Sequence, residues 1–232
     1  GLAVVGCASL AACQTFSQDG GMSVTADIAG KTLNKGVVAI RSEEDEAAAR
    51  AEVERLLKRP LTVDSAVQTA LLNNRGLQAA YNELGIAESV RVQQSLPPNP
   101  HFSVTRMTGS VETEIERQIV ANILALATLP VRSEIAAERF HQAQLAAALE
   151  TLRVAAEARR AFYRAVAAQE TVGLFTQANE AAETMTQLAK RLGETGAMNK
   201  LDQAREQAFH SDVAVRLASA QQRASRERER LV

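Results

Sequence analysis

The chain has no tryptophan, and only 3% of its 232 residues are aromatic, so a thick globular core built on large rings is excluded. Its two cysteines, Cys7 and Cys13, both fall in the opening stretch, which leaves the rest of the chain without a disulfide framework or thiol catalysis. All five prolines lie at or before Pro130, so the last 102 residues carry no helix breaker of that kind. Neither sign of charge is in excess: 26 Lys and Arg against 27 Asp and Glu remove the electrostatic case for nucleic acid or a polybasic membrane surface. No glycine-rich phosphate loop, nucleophile elbow or paired-cysteine site occurs, and none of His101, His141 and His210 has a histidine partner at the i, i+4 spacing of a helical zinc site. An enzyme is not expected, nor a cofactor or a resident metal. What is abundant is alanine, 43 residues of it within a hydrophobic content of 46%. Small apolar side chains in that number suit helices packed at close range.

The opening run Gly1-Leu2-Ala3-Val4-Val5-Gly6-Cys7-Ala8-Ser9-Leu10-Ala11-Ala12-Cys13 is too short to cross a bilayer as a helix but suits the core of a secretory signal. Both ends of the chain read as those of a piece of a longer protein. Leu10-Ala11-Ala12-Cys13 resembles the lipobox of bacterial lipoproteins, which makes Cys13 the expected lipidation site; Val4-Val5-Gly6-Cys7 fits the same pattern less well. Residues 1–13 are therefore expected to be a signal-peptide remnant. Residues 14–42 show no sustained period and read as an extended tether, part of an N-terminal segment 14–60. That segment closes with a short helix opened by Ser42 and the acids Glu43 to Glu46, with Lys58-Arg59 at its far end before Pro60.

Residues 61–96 read as a helix capped by Thr62, kinked near Asn73-Asn74-Arg75-Gly76, with Leu77, Ala80, Tyr81, Leu84 and Ala87 on one face. Leu96-Pro97-Pro98-Asn99-Pro100 stops it. The period then changes to alternation over His101 to Met107, a turn at Gly109-Ser110, and a second strand with Ile115, Arg117, Ile119, Ala121 and Ile123 on one face. Residues 100–128 are thus expected to form a β-hairpin. Each strand is about as long as a tilted transmembrane β-strand requires, but a lone hairpin leaves backbone groups unpaired in lipid, so a membrane hairpin must join a closed barrel. A soluble hairpin lying on the helices is the other reading. In a barrel, Glu112, Glu114, Glu116 and Arg117 belong at the loop, rim or lumen.

From residue 131 the pattern is helical to residue 232. One helix to about residue 192 would run roughly 90 Å at about 1.5 Å per residue, which implies a coiled coil or an α-barrel. Leu145, Leu149, Leu152 and Ala156 mark one stripe, extended by Phe162, Val166 and Leu174. Lys190-Arg191, Gly193 and Gly196 end that helix, placing a tip near 193–199. Asn199 caps the return helix with Asp202 three residues on, and Leu201, Ala204, Ala208, Ser211, Val215 and Ala218 repeat at heptad a/d spacing. The expected fold is mainly α: a long antiparallel helical hairpin with a small β-hairpin.

Leu61-Thr62-Val63-Asp64-Ser65-Ala66-Val67, Leu71-Leu72-Asn73-Asn74-Arg75-Gly76-Leu77, the Leu96-to-Pro100 stop and the tip segment Gly196-Ala197-Met198-Asn199-Lys200-Leu201-Asp202-Gln203-Ala204-Arg205 stand in a particular order and spacing. In that arrangement the chain resembles the TolC-type outer-membrane efflux factors, over roughly residues 60–230 and matching the first of the family's two repeats. The resemblance implies that residues 100–128 supply barrel strands and 131–231 the wall of a periplasmic α-barrel, closed by a homotrimer in the outer membrane. It implies passive conduction of substrates exported by an inner-membrane pump through a periplasmic adaptor that meets the tip. Carried over by position, the adaptor contact falls on Gly196, Lys200, Leu201 and Asp202; helix capping is the plain structural role of Asn199 and Asp202, and both roles can hold together. Gating carboxylates would lie in the second repeat. The chain departs from the family at Ala125-Leu126-Ala127-Thr128-Leu129-Pro130, where an aromatic-rich entry to the long helix is usual. The alternative is a periplasmic coiled-coil lipoprotein, an adaptor or a structural envelope protein, that forms no channel.

Overall fold

The structure is a computed structural model that describes residues 15–108 and 113–231. Cys7, Cys13, the Gly109-Ser110 turn and Glu112 lie outside the described residues. The chain is mainly helical with one two-stranded antiparallel sheet. Its elements are α1 (Ser23–Leu33), α2 (Glu43–Leu57), α3 (Val63–Asn73), α4 (Arg75–Ser95), β1 (His101–Thr108), β2 (Thr113–Val120), α5 (Ile123–Ala127), α6 (Leu129–Glu194) and α7 (Lys200–Glu229). Among the described residues no helix is long and apolar enough to cross a membrane. The contacts group the chain into two units, residues 1–49 with 74–152 and residues 50–73 with 153–232.

Local chemistry accounts for the element boundaries. Ser42 Oγ accepts from the Asp45 amide and the Asp45 carboxylate accepts from the Ser42 amide, a reciprocal box at the start of α2. The backbone amide of Arg41 and the Ser42 hydroxyl, both donating to Asp45, hold its carboxyl below the ordinary aspartate value. Thr62 and Ser65 make the same exchange at the start of α3. Asn74 then breaks the chain for one residue in extended conformation, and its side chain accepts from Leu77 N at 2.9 Å to start α4. The expected kink is therefore a full stop between two helices.

In the first unit α4 buries Leu77, Tyr81, Leu84 and Glu88 along one face. Full burial of leucines such as Leu77 and Leu84 is worth about 1.5–3 kcal/mol each. The first part of α6 answers with Ala136, Gln144, Ala147, Ala148 and Thr151. The Tyr81 hydroxyl lies 2.8 Å from Thr151 Oγ1. Burial pushes the Tyr81 phenol up, and that hydrogen bond partly offsets the rise.

The expected tether over 14–42 contains a helix instead. Asp19 supplies the missing N-terminal cap of α1, its carboxylate accepting from Gly21 N and Ser23 N, and Asn34 ends the helix in the left-handed region. Thr25 is fully buried on α6, its hydroxyl donating to the Gln144 carbonyl, while the Gln144 amide donates back to the Gly21 carbonyl. These bonds to α6 order a segment whose own periodicity is weak.

In the second unit α3 buries Ala66, Val67, Leu71 and Leu72. The later length of α6 buries Val154, Ala155, Ala168, Ala182 and Ala189, and α7 buries Val213, Ala220 and Ala224. Heptad spacing is present, but its phase differs from the sequence expectation. Leu201, Ala204, Ala208, Ser211, Val215 and Ala218 all face outward, whereas residues two positions on, Gln203, Glu206, His210, Val213, Leu217 and Ala220, are covered or half-covered. Leu145, Leu149 and Ala156 of α6 are likewise exposed. Along α6 the covered positions are mostly alanines, which let two helix backbones approach closely, and Leu145 and Leu149 are left outside; on α7 the outward stripe is itself mostly small, and Gln203, Glu206, His210 and Leu217 lie on the inner side beside Val213 and Ala220.

Candidate functional site

The β-hairpin is the first candidate surface. Its register pairs His101 with Val120, Phe102 with Ile119, Ser103 with Gln118, Val104 with Arg117, Thr105 with Glu116, Arg106 with Ile115 and Met107 with Glu114. Opposed residues share a face and successive residues alternate. One face therefore carries Phe102, Val104, Ile115 and Ile119 together with Arg106 and Arg117. The other carries Ser103, Thr105, Glu114, Glu116 and Gln118 with His101, Met107 and Val120. Glu114 and Glu116 thus lie on the polar face. Arg117 does not; it belongs to the apolar face.

The apolar face is uncovered. Ile119 is 74% exposed, and Phe102, Val104 and Ile115 are each more than half exposed. The apolar surface continues past the hairpin, though not as strand. Ala121 and Ile123, expected on β2, leave it because Asn122 accepts from Ala125 N at 2.9 Å and opens the short helix α5. Ile123 and Leu124 of that helix are about as exposed as Ile119, and Val131 and Ile135 of α6 are exposed as well.

The N-terminal segment is pinned beside the approach to the hairpin. Ser17 donates from both its amide and its hydroxyl to Glu88 Oε1, each at 2.6 Å, and Glu88 is buried. Arg91 donates to the Thr15 carbonyl at 3.3 Å and lies over the Phe140 ring at 5.2 Å. Arg91 sits one turn before the end of α4, which leads through the proline segment into β1. Glu88 and Arg91 were not legible as anchors, because a Glu at helical spacing after Leu84 reads as a solvated residue.

The tip of the long hairpin brings the four expected contact residues into one turn. Gly196 has φ +78°, the left-handed region that disfavours a side chain, and the Ala197 amide donates to the Leu192 carbonyl at 2.8 Å. Gly193 stays inside α6, where the end of the Gln203 side chain lies against it. Asn199 accepts from the Asp202 amide at 2.8 Å and donates its own amide to the Asp202 carboxylate, which also takes Arg205. Lys200 and Leu201 point outward. Asp202 is therefore a capping residue by geometry, while Gly196, Lys200 and Leu201 are presented at the surface.

No family model matches the chain, no curated protein matches it in sequence, and no solved structure matches its fold. Among the described residues no group of three or more His, Cys, Asp or Glu converges as a metal site.

Proposed function

We propose that this chain is part of an outer-membrane channel of the TolC type, the passive exit duct of a tripartite efflux system. The observation that carries the reading is the hairpin with one apolar and one acidic-polar face, both uncovered and with both outer edges unpaired among the described residues. Such a hairpin is not stable alone. Further strands on both edges would satisfy its backbone, put Glu114 and Glu116 toward a lumen and leave Phe102, Val104, Ile115 and Ile119 toward lipid.

Two further features support it. Cys13 stands two residues before Thr15 in the sequence, and Arg91, near the end of α4, holds the Thr15 carbonyl. Anchor and strands would then enter the membrane from the same end of α4. The outward stripe Leu201, Ala204, Ala208, Ser211, Val215 and Ala218 is uncovered and made mostly of small residues at heptad spacing. Its matching occupant is another hairpin of the same kind, as a homotrimeric α-barrel needs. The adaptor contact of the proposed pump complex falls on Gly196, Lys200, Leu201 and Asp202. The alternative, a periplasmic coiled-coil lipoprotein, is favoured by one fact: each strand has eight residues, just short of the 9–11 of a transmembrane strand.

The test uses the full-length protein expressed with its signal. The outer-membrane fraction is extracted in mild detergent and the assembled mass measured by light scattering. A detergent-dependent trimer is the expected result. A water-soluble monomer or dimer, released by Cys13→Ser, would move the coiled-coil lipoprotein to first place.

A further inference from the structure

We infer that Arg106 and Arg117 form a phosphate-binding pair on the apolar face of the hairpin, and that its ligand is the headgroup of an anionic lipid. The inference deepens the membrane reading above and rests on it. Val104 opposes Arg117 and Arg106 opposes Ile115, so the two arginines are diagonal neighbours on one face. Diagonal positions lie about 7–8 Å apart, within reach of long side chains. Both side chains are exposed, and among the described residues neither makes an ion pair.

The hairpin's strand charges are sorted by sign. Glu114 and Glu116 oppose Met107 and Thr105 on the other face, where they cannot neutralise the arginines across a shared surface. A hairpin meeting water on both sides gains from opposite charges placed across from one another; this one has two like charges as neighbours, which repel. An anion shared between them removes that cost, and the planar guanidinium fork matches phosphate oxygens.

The surroundings select the source of the phosphate. Passing from the base toward the turn, the pairs on this face are Phe102 with Ile119, Val104 with Arg117 and Arg106 with Ile115, with Thr108 beyond them. Wholly apolar gives way to mixed apolar and cationic, then to the hydroxyl-bearing Thr108. That is the order in which acyl chain, headgroup phosphate and water succeed one another at a membrane face. A site for a free anion would need no apolar floor; a lipid supplies an acyl chain and a phosphate together.

The test offers the reconstituted full-length protein vesicles of phosphatidylcholine alone or mixed with phosphatidylglycerol, and reads insertion by flotation. The wild type is expected to prefer the anionic vesicles. R106Q/R117Q should reduce that preference about 10- to 30-fold and leave insertion into phosphatidylcholine unchanged. R106K/R117K, which keeps the charge but loses the fork, should fall between. E114Q/E116Q, on the opposite face, should leave the preference intact. Inorganic phosphate at matched ionic strength is expected not to compete; full competition would keep the phosphate site but assign it to the free ion and overturn the lipid headgroup. An R106Q/R117Q protein that retains the full preference overturns the site while the membrane reading stands. A wild type that floats with neither vesicle overturns the membrane reading and the site with it.

Discussion

The two units are held by different means. The first relies on directed polar contacts between segments far apart in sequence: Ser17 to Glu88, Gly21 and Thr25 to Gln144, Tyr81 to Thr151, Ser95 to Ser133. The second is a seam of alanine and valine along α6 and α7, with few side-chain bonds between the helices, among them Thr186 to the Glu206 carbonyl and Arg228 to Gln169. Directed bonds determine which segment docks where. A small-residue seam sets how near two helices come and leaves their larger apolar side chains for something else.

The sharpest way to break this comparison is to delete leucines from the inside and the outside. Leu77→Ala should cost about 2–5 kcal/mol in denaturant unfolding, since Leu77 is fully buried. Leu149→Ala, at a position 69% exposed, should stay within about 0.5 kcal/mol for the isolated chain. A loss at Leu149 that arises only in the assembled protein would show that a neighbour covers the outer stripe. Ala182→Leu tests the seam: Ala182 is buried, and the added volume should cost about 1–3 kcal/mol and loosen the hairpin in hydrogen exchange.

Smaller effects test the directed contacts and caps. Glu88→Ala leaves the Ser17 amide and hydroxyl without their acceptor, a loss of about 1–3 kcal/mol that limited proteolysis within residues 17–33 should detect first. Asn199→Ala should remove about 1 kcal/mol from α7, seen as fraying of its first turn. The mildest is a pH effect at α2. The Asp45 carboxyl is lowered in the folded state, so its contribution is present above the unfolded aspartate value, about 3.9, and is lost as pH falls through the folded value. Acid titration should melt the first turn of α2, and Asp45→Asn should abolish that step.

Caps and stops were legible because they are local: Thr62, Asn74, Asn199 and the Leu96-to-Pro100 stop each act within four residues of themselves. Period was legible along α6 and α7 for the same reason. Phase was not. Along α6 hydrophobicity alone favours the leucines for the interior, although the alanines are the covered residues; along α7 it favours Leu201, Ala204, Ala208 and Val215 over the half-covered Gln203, Glu206 and His210. The inner stripe is set by how closely the partner backbone approaches, which no single helix records. Helix α1 was missed because Met22, Thr25 and Ala29 form a thin face and its cap, Asp19, stands four residues before Ser23. On the candidate surfaces, the alternation of β1 and β2 could be read directly. The pairing of Arg106 with Ile115 and of Val104 with Arg117 could not, because it depends on register.

The interleaving of the two units bears on how the chain is made. Each unit combines an early segment with a late one, and residues 50–73 of the second unit are synthesised before 74–152 of the first. During synthesis, Val67 and Leu71 must wait for the second unit's remaining helices, while Leu77 and Leu84 wait only for the first part of α6. A ribosome-bound chain stopped after Leu152 therefore exposes α3 without its partners. The period between those two points is when a holding chaperone would find the most to bind.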